Sequence, residues 1–228
     1  MGKDDIILLE KNTGNVIRVL NGNVSHQLLH TDVSFKDERG LLGLALSGNE
    51  SENVKNASVF LYYTHCPKVS GQAQTSQNCG NYVYKYNLNL NYNILTNPKL
   101  VLSLPALPAP SHIGGKLLMD KENNLFVTIG DLQPTAFDKN QKEFDTKAKN
   151  IMNCTNPDGR AGILRITQDG KPVGKGILGD DYPLNLYYAY GIKNSFGIAI
   201  DPLTNNLWET ETGSQFSSLY EGKLALLF

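Results

Sequence analysis

The sequence has nearly balanced charge, few histidines and no long hydrophobic run. Its 21 Lys and Arg residues stand against 22 Asp and Glu, a formal net charge of -1, so no basic surface for nucleic acid is expected. No apolar run approaches the ~20 residues that a membrane-spanning helix needs. The amino terminus is charged and leads directly into a predicted strand, so we expect no signal peptide in this chain. We therefore expect that the protein does not bind nucleic acid and that the chain does not span a membrane.

Cysteine is also scarce, with three residues in 228. Cys66 ends a predicted apolar strand and Cys79 precedes another, with a polar loop between them. A disulfide at the mouth of this hairpin and a pair of free thiols both fit the sequence. A bridge would require the two Cα atoms to lie within ~7 Å. Cys154 is expected to stay unpaired in either case. Three of the four histidines have no metal-ligand spacing, so no zinc site is predicted.

Turn-forming and strand-forming residues are plentiful. The chain has 21 Gly, 10 Pro and 11 Tyr, a composition typical of many short strands joined by tight turns. Four segments repeat an apolar strand, a polar turn and a second strand, with strand centres near Leu8, Phe60, Phe126 and Trp208. Propeller blades repeat every ~40–50 residues, so the wider intervals here indicate blades with inserted loops.

Short motifs recur between these segments. The run N-N-L-F at 123–126 resembles N-N-L-W at 205–208, and V-I-R-V at 16–19 resembles I-L-R-I at 163–166. Such units cannot bury both faces alone, so they are expected to stack around a channel. The pattern favours an all-β fold, a β-propeller, forming a single partial domain over residues 1–228. A β-sandwich and an open β-meander are the competing interpretations.

Three glycine-containing loops carry side chains suited to chemistry. His112 could take a proton from a substrate hydroxyl, because histidine titrates near neutral pH. Lys193 and Asn194 offer a positive charge and an amide, which suit a carboxylate or quinone oxygen. Glu38 and Arg39 are adjacent charged residues that precede a glycine in the remaining loop. Each loop also has a purely structural interpretation. His112 could be a turn residue that bonds a nearby carbonyl. Lys193 and Asn194 could be solvated loop residues, and the two charged residues of the remaining loop could pair with each other at the surface.

A resemblance to the glucose/sorbosone dehydrogenase family is carried by four segments in the same order: ERGLLGLAL, SHIGGKLLMDKENNLFVTIGD, GRAGILRITQDGKPV and YAYGIKNSFGIAIDPLTNNLWETETG. It extends from about Asp5 to Gly213. The resemblance implies a six-bladed quinoprotein propeller, of which about four blades lie in this chain. It also implies an extracellular or periplasmic sugar dehydrogenase that uses pyrroloquinoline quinone. The implied reaction oxidises an aldose or related alcohol at the C1 hydroxyl to a lactone, with an external electron acceptor.

The resemblance also assigns roles to residues of this chain. His112 matches the catalytic base, which removes the proton of the sugar hydroxyl while hydride passes to the quinone. Glu38 falls where the family places a Gln or Glu near the cofactor. Lys193 and Asn194 match the basic residue and the Asn that contact the quinone. His112 therefore belongs to both the catalytic and the cofactor-binding set.

The resemblance also implies a calcium site, and several residues of this chain differ from the family pattern. Gly213 and Ser214 match the residues whose backbone carbonyls hold calcium (Ca2+), which would act as a Lewis acid. Lys193 replaces an Arg, Ile192 replaces a His, and Phe196 replaces a polar cofactor contact. The acidic segment expected next is not found, so we expect this chain to be an incomplete form that turns over sugar poorly or not at all. The alternative function is a non-catalytic propeller binding module.

Overall fold

The computed structural model describes residues 4–47, 57–67, 79–107, 110–132 and 157–211, and the backbone of 223–227. The chain groups into two compact units, Met1–Ser103 and Leu104–Phe228. Within the described residues nearly all regular structure is β-strand, arranged in antiparallel sheets. None of the described helices is long and apolar enough to cross a membrane.

The first unit contains a three-stranded and a four-stranded sheet. The first sheet has the order β1 Asp5–Leu9, β2 Asn15–Leu20, β3 Asn23–His30. The second has the order β4 Leu41–Ser47, β5 Ser58–His65, β6 Gly80–Asn89, β7 Ile94–Pro105, and its last strand runs into the second unit. β5 is apolar on both faces and is buried along most of its length, as expected for an inner strand of packed sheets. A core cluster that includes Val16, Leu41, Leu61 and Tyr86 holds this unit together.

The second unit also contains two sheets. One has the order β11 Tyr187–Tyr190, β10 Gly162–Ile166, β9 Leu125–Ile129, β8 Leu117–Met119. The other has the order β12 Ser195–Ile200, β13 Leu207–Glu211, β14 Lys223–Leu227, and a short 3-10 helix, Leu184–Leu186, precedes β11. Their facing sides share a core of Phe126, Ile163, Ala189, Ile192 and Leu207.

The predicted repeat of the N-N-L motif is confirmed as a repeated turn. Asn123 and Asn205 both have φ of 62°, a left-handed conformation that asparagine tolerates better than most residues. Each turn leads into a strand that starts with a buried leucine, Leu125 or Leu207. The same sequence thus reverses the chain before the second strand of two different sheets.

The second repeat places an arginine beside an aspartate in both units. Arg18 on β2 donates from Nε and from Nη2 to the two carboxylate oxygens of Asp5, at 2.8 and 2.7 Å. Arg165 on β10 donates from Nη2 to Asp120 at 2.8 Å. The repeated V-I-R-V and I-L-R-I motifs therefore correspond to a repeated ion pair.

Cys66 and Cys79 form a disulfide, with Cα atoms 4.0 Å apart. The bridged alternative is therefore the correct one. It closes the hairpin between β5 and β6, since Cys66 follows β5 and Cys79 precedes β6. Cys154 lies outside the described residues.

Candidate functional site

His112 and Asp131 form a buried pair at one end of the β8–β9 hairpin. His112 precedes β8 and Asp131 follows β9, and the two strands are antiparallel neighbours, so both residues lie at the same sheet end. Nδ1 of His112 lies 2.6 Å from Oδ1 of Asp131, and the side chains are 8% and 1% exposed. A carboxylate that accepts from Nδ1–H leaves the lone pair of a neutral ring on Nε2, the tautomer that can accept a proton.

The segment before β12 contacts Asp131 and the loop that carries His112. The backbone N–H of Asp131 donates to the carbonyl of Lys193 at 2.9 Å. The backbone N–H of Gly114 donates to the side-chain oxygen of Asn194 at 3.1 Å. Lys193 and Asn194 are 9% and 1% exposed, so neither is a solvated loop residue. The structure thus brings together three of the predicted site residues, His112, Lys193 and Asn194.

Gly130 makes this convergence possible. A Cβ on Gly130 would lie 2.2 Å from the carbonyl oxygen of His112 and 2.4 Å from that of Lys193. Any side chain here would force the two backbone segments apart. The glycine of the I-G-D motif therefore lets the histidine loop and the lysine loop pack against the same point of the chain.

A third loop anchors the segment that carries Lys193. The carbonyl of Ala161 accepts from the N–H groups of Gly191 and Ile192, at 2.8 and 3.2 Å. The N–H of Ala161 donates to Gly130 at 2.9 Å. Ile192, which replaces a family histidine, is 5% exposed and belongs to the core between the two sheets. At this position the side chain therefore packs in the core.

Two acidic residues of the site were not predicted from the sequence. Asp131 and Glu211 both lie in motifs that carry the family resemblance, but neither motif shows that its carboxylate has a partner. Oε2 of Glu211 accepts from the backbone N–H of Lys193 at 2.7 Å. Antiparallel pairing of β12 with β13 places Ser195 opposite Glu211. This pairing, which the sequence alone does not reveal, explains the contact.

Glu209 is a third unpredicted carboxyl. It is 0% exposed, and neither of its carboxyl oxygens has a hydrogen-bond partner of good geometry among the described residues. Burial raises the pKa of Glu209 from 4.5 to about 7; the Ser195 hydroxyl opposes this rise and the charge of Glu211 adds to it. Glu209 thus titrates near neutral pH on β13, opposite Ile198.

Glu209→Gln is expected to stabilise the folded chain at alkaline pH. Because the folded-state pKa lies above the unfolded value, native Glu209 holds its proton more tightly, and its stability contribution is lost as pH rises from about 4.5 to about 7. At about pH 8 the variant should gain roughly 1–3 kcal/mol, and at about pH 4 almost nothing. Urea unfolding at both pH values measures this. Glu122→Gln, at a side chain that is 63% exposed, is the control and should show no such dependence; equal stability of Glu209→Gln and the parent at pH 8 would contradict the prediction.

The remaining predicted site residues lie in the first unit or outside the described residues. Glu38 lies in the first unit, just before β4. Its neighbour Arg39 is 4% exposed, so the surface-pair interpretation is wrong for Arg39; burial lowers the pKa of its guanidinium, and Asp37 opposes this. Gly213 and Ser214 lie outside the described residues.

No group of three or more His, Cys, Asp or Glu side chains is positioned to hold a metal ion within the part of the chain that the structure describes. The predicted calcium pair falls outside that part, so its geometry is untested. The predicted calcium ligands are backbone carbonyls. A cluster of His, Cys, Asp and Glu side chains would therefore not reveal them.

A family model described as Glucose / Sorbosone dehydrogenase matches residues 1–217. The chain belongs to the glucose/sorbosone dehydrogenase family. This confirms the family resemblance that the four ordered motifs carry. Among curated relatives, the aldose sugar dehydrogenase YliI of Escherichia coli (strain K12) is 26% identical over 113 residues, 48% of this chain and 26% of the relative. The uncharacterized protein slr1608 of Synechocystis sp. (strain ATCC 27184 / PCC 6803 / Kazusa) is 30% identical over 109 residues, 47% of this chain and 25% of the relative.

Solved structures of sugar dehydrogenases share the fold. An oxidoreductase from Thermus thermophilus, described as a glucose dehydrogenase, superposes with a TM-score of 0.73 at 24% identity, over 98% of this chain and 59% of that one. The soluble aldose sugar dehydrogenase of Escherichia coli in its apo form gives 0.63 at 20% identity, over 91% and 56%. The all-β propeller prediction is confirmed, with a blade count that fits part of a ring. The chain spans somewhat over half the length of these solved structures.

Proposed function

We propose that the protein is a pyrroloquinoline quinone-dependent dehydrogenase that oxidises an aldose or a related alcohol at the C1 hydroxyl to a lactone. The observation that carries the proposal is the buried His112–Asp131 pair, held by backbone contacts beside Lys193 and Asn194. Membership of the glucose/sorbosone dehydrogenase family supports sugar oxidation as the reaction class.

In the proposed reaction His112 is the general base. Its Nε2 takes the proton of the C1 hydroxyl as the C1–H bond breaks and the C1–O bond becomes a carbonyl. Asp131 holds the ring in the required tautomer and stabilises the imidazolium that forms. Pyrroloquinoline quinone, when bound, supplies the acceptor for the hydride and its two electrons. An external acceptor would take up the two electrons that the sugar loses.

The residues present fit an anionic quinone. Lys193 contributes a positive charge on a buried segment, which suits a cofactor carboxylate. The side-chain oxygen of Asn194 accepts from Gly114, which holds the side chain beside the histidine loop, and Asn194 is proposed as a cofactor contact on the family resemblance. Glu38 is proposed as a further cofactor contact, and calcium is proposed at Gly213 and Ser214, both on the family resemblance.

An extracellular or periplasmic location is proposed as well. The Cys66–Cys79 disulfide supports it, because disulfides persist mainly in oxidising compartments. The same compartment would give the enzyme direct access to free sugars.

Phe196 favours a second candidate, a non-catalytic binding module. This side chain replaces a polar cofactor contact of the family and is 55% exposed. An exposed aromatic at the site suits recognition of a partner better than catalysis. The two functions differ in one readout, since a binding module would show no sugar-dependent electron transfer.

Lys193→Gln is expected to weaken quinone binding about tenfold, the effect of losing roughly 1.4 kcal/mol of charge-assisted contact. The measurement is titration of the 228-residue chain with pyrroloquinoline quinone in calcium buffer, followed by dye reduction with an aldose. Lys175→Gln, at a lysine whose side chain is 86% exposed, is the matched control and should bind like the parent. Saturable quinone binding without aldose-dependent dye reduction, in the chain extended to the full length of its solved relatives, would favour the binding module. No saturable binding by the parent would contradict the cofactor assignment.

A further inference from the structure

The first sheet of the first unit is apolar on both of its faces. On one face Val16 is buried, and Ile7 and Leu9 pack with it into the core shared with the β4–β7 sheet. The strand register places five apolar side chains on the opposite face, the open face, which consists of Ile6, Leu8, Ile17, Val19 and Val24. A sheet with apolar residues on both faces is typical of one that packs between two layers.

The open face is exposed and its five residues carry no charge. Ile6, Leu8 and Val24 are 56%, 46% and 72% exposed. Ile17 and Val19, which lie between them on β2, are half-buried. Single exposed apolar residues are common on soluble proteins and need no explanation. A group of five neighbours on one sheet face is instead the usual sign of a contact surface.

The internal repeat of the sequence identifies the counterpart of the open face in the second unit. The motif V-I-R-V on β2 matches I-L-R-I on β10, so Arg18 corresponds to Arg165. Arg18 pairs with Ile7 of β1 as Arg165 pairs with Phe126 of β9, so β1 corresponds to β9. The four open-face residues of β1 and β2 therefore have as equivalents, in the same order, Leu125, Val127, Leu164 and Ile166.

The counterpart face is completely covered. All four equivalents are 0% exposed, whereas Ile6 and Leu8 of the open face are exposed. The apolar character of the side chains and their strand pairing are the same in both sheets. The difference in burial therefore comes from a covering layer, which lies over β9 and β10 and is missing over β1 and β2 among the described residues.

The second unit also shows what kind of surface covers such a face. Leu207 is the leucine of the second N-N-L motif, so it corresponds to Leu125 and, through it, to Ile6. Leu207 is covered by the sheet face that carries Phe126 and Ile163, an aromatic and a β-branched residue. We propose that the open face is the docking surface for a further antiparallel sheet with such an apolar face, which belongs to the same polypeptide in a form as long as its solved relatives.

Area and length favour a sheet of the same polypeptide over a second copy of this chain. The sheet has three strands and β1 has five residues. Such a face spans roughly 14 by 17 Å, so its contact buries about 500–800 Å² in total. Stable interfaces between separate chains bury ~1,200 Å² or more. The chain covers only 59% of the Thermus thermophilus structure, and the remainder of that relative is long enough to contain further sheets.

Cysteine labelling of Val24→Cys tests the proposal. In the 228-residue chain the new thiol should react like an exposed cysteine. In the chain extended to the full length of its solved relatives it should react at least about tenfold more slowly, because a side chain under a packed layer reacts only when the layer opens. His26→Cys is the matched control. His26 is exposed on the same strand and pairs with Arg18, which places it on the other face, so its rate should be equal in both lengths. Peptide mass spectrometry distinguishes these thiols from Cys154.

Equal labelling of Val24→Cys in the two lengths would overturn the proposal. So would a 228-residue parent that sediments as a dimer and becomes a monomer with Ile6→Lys, since the open face would then bind a second copy. Ile6→Lys also provides a measurement without cysteine: it should leave the melting temperature of the 228-residue chain unchanged and lower that of the extended chain. An equal decrease in both lengths would contradict the proposal. No sugar or quinone enters these measurements, so their outcome is independent of the proposed function.

Discussion

In the chain extended to the full length of its solved relatives, replacing His112 with alanine is expected to lower the rate of aldose oxidation by about 10²–10⁴-fold, the usual effect of removing a general base. Quinone affinity should change much less, because Lys193 and Asn194 remain. The measurement is aldose-dependent dye reduction after loading with quinone and calcium, together with a quinone titration of the same samples. The effect should appear in the rate at saturating sugar, since the base acts in the chemical step.

Asp131→Asn separates the role of the aspartate from that of the histidine. Asp131 accepts from Nδ1 of His112 at 2.6 Å and does not itself need to touch the substrate. Without the carboxylate the ring loses the group that fixes its tautomer, so we expect a lower rate and a shifted pH profile. A purely structural role for Asp131 would lower the rate without moving the profile.

His26→Ala is the matched control for His112→Ala. His26 is exposed on β3 and its ring contacts the neighbouring Ser25 hydroxyl. Its removal should leave the rate unchanged. A His112→Ala variant that keeps the parent rate, or loses quinone binding in parallel with turnover, would contradict the assignment of His112 as the base.

The strands that the sequence predicted are those with a strong apolar pattern. β5 and β9 consist mainly of apolar residues and are buried along most of their length. β3 was missed because most of its residues are exposed, so no alternation marks it. β7 was missed because it contains Pro98 and the left-handed Asn97, with φ of 55°, both of which interrupt a strand pattern.

The site was predictable in its residue types but not in its pairings. His112, Lys193 and Asn194 were found because motif order and glycine content mark them. Asp131 was quoted within the same motif, but its role as partner depends on the antiparallel register of β8 and β9. Glu209 was missed entirely, since a glutamate in an alternating strand is expected to face solvent. Burial of that side of β13 follows from sheet packing, which one sequence does not specify.

Gly130→Ala is expected to destabilise the chain by at least about 3 kcal/mol, beyond the usual cost of overpacking by one methyl group. The added Cβ would lie 2.2 Å from the His112 carbonyl oxygen and 2.4 Å from that of Lys193. Both are backbone atoms, so no rotamer change can relieve the collision. Urea unfolding measures the loss of stability, and quinone titration measures whether the two loops still form a binding site.

Gly174→Ala is the control that separates collision from backbone strain. Gly174 has φ of 70°, and a Cβ added there would meet no heavy atom within 4 Å, so its substitution costs only the left-handed strain of roughly 1–2 kcal/mol. Gly130 is not left-handed, so its entire cost comes from the contact with the two carbonyls. Because those carbonyls belong to the loops of His112 and Lys193, quinone affinity should fall in Gly130→Ala and stay unchanged in Gly174→Ala. A Gly130→Ala chain as stable as Gly174→Ala would mean that the two loops are not held against this glycine.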